Sequence, residues 1–98
     1  MSEPVSLTAA FDRIEQLLEF PADFPIKVMG RQVEGFAQAI SDLAREHVPD
    51  FDPASIELRL SSKGAFLSIT LPLRVHSRAQ LEAVYRALAA HPMVRVVL

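Results

Sequence analysis

The stretch IELRLSSKGAFLSITLPLRV, Ile56 to Val75, decides the fold. Ile56, Leu58 and Leu60 alternate with Glu57 and Arg59. After a polar tip, Leu67, Ile69, Leu71, Leu73 and Val75 alternate with Ser68, Thr70 and Arg74. Successive side chains of a strand point to opposite sides, so period-two alternation predicts strands with one buried face. If the two runs pair antiparallel, their apolar sets must share a face, because a slip of one residue inverts a whole strand. Leu60 opposite Leu67 and Leu58 opposite Ile69 meets this condition. It leaves a loop of two residues (Lys63-Gly64) or four (Ser62 to Ala65). A two-residue type I′ turn needs positive φ at Lys63, so the four-residue loop is expected, with Gly64 left-handed. Ser61, Ser62, Lys63 and Gly64 also have the composition of a phosphate-gripping loop. They lack that motif's first glycine, the hydroxyl after the lysine and the following helix, and are read as a hairpin tip. Pro72 is the one discord: having no N–H, it implies a bulge or a lost partner.

Working outward, Phe11, Ile14, Leu17 and Leu18 fall on one face of a helix predicted over Ser6 to Phe20. Ser6 or Thr8 can cap its start, and Pro21 stops it. Phe24, Ile26 and Val28 alternate with Pro25, Lys27 and Met29, which predicts a strand that Gly30 breaks. From Gln32 to about His47 the period turns helical, with Val33, Phe36, Ala37, Ile40, Leu43 and Ala44 as the stripe. Gly35 weakens this helix by about 1 kcal/mol relative to alanine, or lets it approach the sheet closely. Pro49 to Pro53 reads as a connection. Ser77 with Gln80 forms a capping box opening a helix that buries Leu81, Val84, Tyr85 and Leu88. His91-Pro92 ends it. Met93 to Leu98 is a last strand, with Val94, Val96 and Leu98 on one side and Met93, Arg95 and Val97 on the other.

The order after the first helix is βαββαβ. Right-handed crossovers interlock the two halves into an α+β, ferredoxin-like sandwich: a four-stranded antiparallel sheet with two helices on one face. Residues 1–20 are expected to form an N-terminal helical extension and residues 21–98 a single domain. The extra helix must pack on another helix or cover a sheet edge.

The 98 residues suffice for one domain and one modest core, and with half of them hydrophobic the chain is globular. There is no cysteine, which removes disulfides, thiolate metal sites and thiol nucleophiles together. That composition suits a reducing compartment, and the cytoplasm is expected. No apolar run approaches the ~20 residues that span a bilayer. MSEPVSLTAAFDRIEQ carries early acids and no basic stretch before an apolar one, so no signal peptide is expected. A net charge of −2 and a pI near 5.9 argue against a general nucleic-acid binder, whose affinity comes from phosphate contacts.

LLEFPADFPIKVMG, then LSSKGAFLSITL, then VRVVL in this order resemble the YbeD-like family of small bacterial proteins. The resemblance runs from about Leu17 to Leu98, leaving out the first residues and Pro72. It implies a ferredoxin-like fold close to ACT regulatory domains, the amino-acid-sensing modules of metabolic enzymes. It implies no catalytic residues and no cofactor. Family members are often encoded beside lipoate-attachment enzymes, a hint of metabolism and of a metabolic-enzyme partner.

Among candidate sites, Gly30, Arg31 and Gln32 lie where the first strand hands over to the first domain helix. In ACT domains the corresponding loop contacts the effector, and a helix N-terminus favours anionic groups. The bland alternative is a glycine that only makes a tight turn. A ligand there needs a second subunit to close it, so a homodimer is expected. The sheet face away from the helices carries Lys27, Met29, Glu57, Arg59, Phe66, Ser68, Thr70 and Arg95. Lys27, Met29, Arg59, Phe66 and Arg95, with Val97, mark it as an interaction face or as solvated surface. RNA-recognition sheets stack bases on two or three aromatics, and here only Phe66 is present. His47, His76 and His91 are dispersed and show no zinc spacing, so no metal is expected. No acid pair or nucleophile elbow stands out. The sequence therefore points to a non-catalytic module. Either it senses a small metabolite at Gly30, or it is a protein-interaction adaptor, with RNA binding a distant third.

Overall fold

The computed structural model describes residues 6–98. Its elements are α1 (Leu7–Leu17), β1 (Ala22–Arg31), α2 (Phe36–His47), a 3-10 turn (Pro53–Ser55), β2 (Glu57–Leu60), β3 (Phe66–Val75), α3 (Arg78–Ala90) and β4 (Val94–Val97). The strands form one antiparallel sheet in the order β2-β3-β1-β4. This is the expected ferredoxin-like α+β arrangement with an added N-terminal helix.

The deciding hairpin has the predicted register, with Leu58 opposite Ile69 and Leu60 opposite Leu67. The Ser61 N–H donates to the Phe66 carbonyl at 2.9 Å, and the Gly64 N–H donates to the Ser61 carbonyl at 2.9 Å. The Phe66 N–H donates to Ser61 Oγ at 3.1 Å. Gly64 has φ 73°, so the tip is the four-residue loop and its serine serves the turn.

Pro72 causes no bulge. β1 and β3 pair without interruption from Ala22–Val75 to Arg31–Phe66, with Pro25 opposite Pro72. The Ser61–Phe66 bond shows that even-numbered residues of β3 aim their N–H groups at β2. β2 has ended at Glu57, opposite Thr70, so nothing waits for the missing donor of Pro72. Pro25 faces the β4 side in the same way. The last bonds on that side, between Lys27 and Leu98 at 3.2 and 2.8 Å, lie two residues away from it.

Gly30 does not break β1. It lies inside the strand, paired with Leu67 and Val94, and is buried. A register shift between Met29 and Gly30 leaves Arg95 as an extra residue of β4, because Met29 pairs with Val96 and Gly30 with Val94. The regular alternation expected for the last strand therefore fails. Val94 and Val97 both pack against the core, while Val96 and Leu98 are exposed.

α2 starts at Phe36, four residues later than Gln32. Gly35 is its N-cap at φ 86°, and this left-handed residue separates Val33 from the helical stripe and leaves it exposed. A Cβ at Gly35 would point into open space, so the glycine mediates no close approach to the sheet. α1 ends at Leu17, short of Phe20. Leu18 turns extended, and Phe20 comes back onto the core. Leu17, expected on the buried face, points to solvent.

The core lies between the sheet and the two domain helices. Ile26, Val28, Ile69, Leu71, Leu73 and Val75 meet Phe36, Ile40, Ala44, Leu81, Val84 and Leu88, all fully or nearly fully buried. Each of the larger side chains contributes roughly 1.5–3 kcal/mol by transfer from water. Ser77 Oγ accepts from the Gln80 N–H at 3.1 Å and caps α3. Gln80 Oε1 accepts from the N–H of His76 at 2.7 Å, one residue before the cap. Gln80 Nε2 donates to the His47 carbonyl at 3.1 Å, tying the start of α3 to the end of α2.

α1 packs on α3. Phe11 meets Tyr85 edge to face, 5.7 Å between centroids. Arg78 bridges back to Asp12 and, at 3.1 Å, to Glu15. The hydrogen bonds it donates to Asp12 and then Glu15 raise the pKa of the Arg78 guanidinium above its ordinary value, which fixes its charge further.

Candidate functional site

The three residues expected to form a ligand loop are sent to three places. Strand alternation is the cause, because consecutive residues of β1 face opposite ways. Gly30 faces the core, where a side chain would run into the Met93 carbonyl oxygen and the Phe36 ring. Arg31 faces the opposite side, its guanidinium carbon 5.8 Å from the centroid of the Phe66 ring. Gln32 leaves the strand, its N–H donating to the Ala65 carbonyl at 2.9 Å. Of the three, only Gln32 reaches a cavity.

That cavity is an open groove of about 610 Å³ between the Gln32–Gly35 turn, the first turn of α2 and the helix-facing side of β2. Leu58 and Leu60 form its sheet wall and remain 54% and 52% exposed. Their alternation makes them inward-facing, yet neither domain helix reaches far enough across the sheet to cover β2. Val33 and Ala37 add apolar surface from the other wall, and Leu67 is the buried floor. Gly35 gives α2 no side-chain cap, so the first-turn amides have no side-chain acceptor beside this groove. The sequence reading missed it because alternation reports which way a residue faces and not whether anything lies above it.

The opposite side of the sheet brings most of the other candidate residues together. Lys27, Met29, Arg59 and Phe66 lie around one shallow depression of about 300 Å³, together with Ser68 and Leu98. Arg95 is exposed in the β4 bulge. Val97, expected on this face, packs inward instead, and Val96 and Leu98 supply its apolar surface. Among the described residues Lys27, Arg31, Arg59 and Arg95 form no ion pair, and neither does Glu57. Arg74 on the same face is matched by Asp23 at 3.0 Å. The bare face is thus locally cationic on a chain of net charge −2.

The histidines are apart. His76 Nε2 lies 3.2 Å from Asp50 Oδ2, His91 Nδ1 accepts from the Met93 N–H at 3.1 Å, and His47 sits in the last turn of α2. Among the described residues no group of three or more His, Asp or Glu is placed to hold a metal. No helix among them is long and apolar enough to cross a membrane. No buried side-chain N or O among them lacks a hydrogen-bond partner.

The family described as "Protein of unknown function (DUF493)" matches residues 15–98. A UPF0250 protein of Bordetella pertussis is 51% identical over 84 residues, 86% of this chain and 92% of its own length. One from Ralstonia nicotianae is 51% identical over 84 residues, covering 86% of this chain and 87% of the relative. One from Nitrosomonas europaea is 45% identical over 84 residues, covering 86% and 97%. These matches bear out the resemblance to the YbeD-like family.

Proposed function

We propose that this chain, which belongs to the DUF493 family, is a non-catalytic regulatory module that binds a small metabolite and acts in the cytoplasm as a homodimer. The observation that carries the reading is the groove between the Gln32–Gly35 turn and β2. Two leucines that the fold turns toward the helices are left half uncovered there, beside helix amides without a side-chain cap. An apolar body against Leu58 and Leu60, with an acidic group toward the start of α2, fits that chemistry. Such a groove is open on one side, and a second copy would close it.

A thermal-shift screen with amino acids, lipoate derivatives and other organic acids tests the reading. A ligand at 100 times its dissociation constant stabilises the fold by about 2.7 kcal/mol. For a chain of this size that raises Tm by roughly 10–20 °C. Leu60→Glu should remove the shift. A panel without a single hit sinks the reading.

The second reading is an adaptor that docks a partner, such as a metabolic enzyme, on the bare sheet face. It is favoured by Lys27, Arg31, Arg59 and Arg95, without an ion-pair partner among the described residues, on the face of the half-buried Met29 and the exposed Phe66 and Leu98. An acidic, partly apolar segment complements that surface. RNA is disfavoured because Phe66 is the single aromatic there and Arg31 already lies over its ring. Affinity for single-stranded RNA that falls steeply with salt would reverse that ranking.

A further inference from the structure

β2 is a short edge strand whose outer side has no neighbour. Glu57, Arg59 and Ser61 bond toward β3, as the Ser61–Phe66 hydrogen bond shows. Alternation therefore turns the N–H and C=O groups of Leu58 and Leu60 to the open edge, and those of the extended Ile56 with them. A bare edge of this kind is a template for another strand.

We propose that β2 pairs antiparallel with β2 of a second copy of this chain, about a two-fold axis, with Leu58 opposite the partner's Leu58. Charge selects this register. A two-fold pairing must set edge-facing residues opposite edge-facing residues, which leaves three registers within the strand. Ile56 opposite the partner's Leu58 places Glu57 against the partner's Glu57. Leu58 opposite the partner's Leu60 places Arg59 against the partner's Arg59. Only Leu58 opposite the partner's Leu58 places Glu57 against the partner's Arg59, and the two-fold repeats that pair. A register centred on Leu60 runs into the hairpin tip at Ser62, and one centred on Ile56 runs into the 3-10 turn.

The charged pairs fall at the non-hydrogen-bonded positions, where side chains of antiparallel strands approach most closely. Like charges there repel and unlike charges attract. Glu57 and Arg59 are exposed and have no ion-pair partner among the described residues, so both are free for it. On the other face Leu58 meets the partner's Leu58, and Ile56 meets the partner's Leu60. The half-exposed leucines of both copies gain an apolar neighbour at the sheet edge, their helix-facing sides stay open, and the two grooves are brought together. The inference deepens the homodimer of the proposed function and does not need a ligand.

Sedimentation velocity of the whole chain tests it. The chain should dimerise. Glu57→Arg and Arg59→Glu should each weaken self-association tenfold or more, since each replaces two unlike pairs by two like ones. Mixing the two variants should recover a dimer, because every pair across the axis is again of opposite charge. The doubly reversed chain should dimerise as the original does. Circular dichroism checks that the exposed substitutions leave the fold intact. As an independent reading, Leu58→Cys should oxidise to a disulfide-linked dimer in a chain that otherwise lacks cysteine. A chain that stays monomeric up to millimolar concentration overturns the inference. So does a dimer indifferent to both single reversals, or a mixture that fails to recover. A ligand shift with no dimer sinks this interface and leaves the ligand reading standing. A dimer of this register with no ligand shift does the reverse.

Discussion

Gly30→Ala puts a single methyl group where the structure has no room. A Cβ at Gly30 overlaps the Met93 carbonyl oxygen and lies 2.7 Å from Phe36 Cζ and 3.0 Å from Cε2. Ordinary contact begins at about 3.5 Å between carbon atoms. The carbonyl belongs to backbone held by the β4 bulge, and the Phe36 ring is fully buried at the start of α2. Neither can swing aside as a flexible surface side chain would. Relief requires β4 to slide or α2 to tilt, which opens contacts elsewhere in the core. Overpacking a tight core costs about 1–3 kcal/mol, and a clash with backbone belongs at the top of that range. A loss of about 3 kcal/mol lowers Tm by roughly 10–20 °C in a domain of this size. Urea unfolding followed by circular dichroism should show the midpoint falling by about 1–3 M with an unchanged slope. In a Phe36→Leu background the cost should shrink, because the ring overlap is gone, yet not vanish, because the carbonyl remains. An alanine variant within about 0.5 kcal/mol of the original chain refutes this packing argument. It would return Gly30 to the place the sequence suggested, the loop at the end of the first strand and outside the packed core.

Three further perturbations separate other claims. Gly64→Ala meets no neighbouring atom but must hold φ near 73°, so it should cost about 1–2 kcal/mol in urea unfolding, and Gly64→Asn less. Pro72→Thr restores an N–H that points past the end of β2 into solvent, so its stability should stay within about 0.5 kcal/mol of the original. Phe11→Ala removes the ring packed on Tyr85, and large-to-small changes of this kind cost about 3–5 kcal/mol when fully buried. Because α1 can undock, the loss is capped by its docking energy. Hydrogen exchange should then show α1 unprotected while β3 stays protected, and equal loss in both would contradict residues 21–98 folding as a unit.

The central hairpin was legible because it is over-determined. Two apolar faces, one register and a loop of even length admit few solutions, and Gly64 selects among them. The last strand was not legible, for the opposite reason. Val94, Val96, Val97 and Leu98 are apolar on both sides, so their pattern carries no register and hides the bulge at Arg95. Gly30 was misread because the atoms that exclude its side chain, from Met93 and Phe36, come from other parts of the chain. Nothing in LLEFPADFPIKVMG reports them. Val33 was drawn into the α2 stripe by its spacing alone. Period cannot reveal that Gly35 takes positive φ and starts the helix later.

Coverage decides which surfaces remain for function, and β2 is where coverage fails on three sides at once. Its helix side opens on the groove at Leu58 and Leu60, its far side carries Arg59 into the cationic face, and its edge offers unpaired backbone. A peptide that used the edge would compete with a second copy for the same amides of Leu58 and Leu60. A small molecule in the groove would not. Dimerisation and metabolite binding are therefore compatible, whereas dimerisation and strand addition by another protein exclude one another. Concentration-dependent self-association that a metabolite strengthens argues for the first arrangement. Self-association abolished by an added partner argues for the second. Because linkage is reciprocal, a ligand that tightens the dimer must itself bind more tightly to dimer than to monomer. Glu57→Arg, which weakens the dimer from the outer face without touching the groove wall, should then lower the apparent affinity for that ligand by the same coupling.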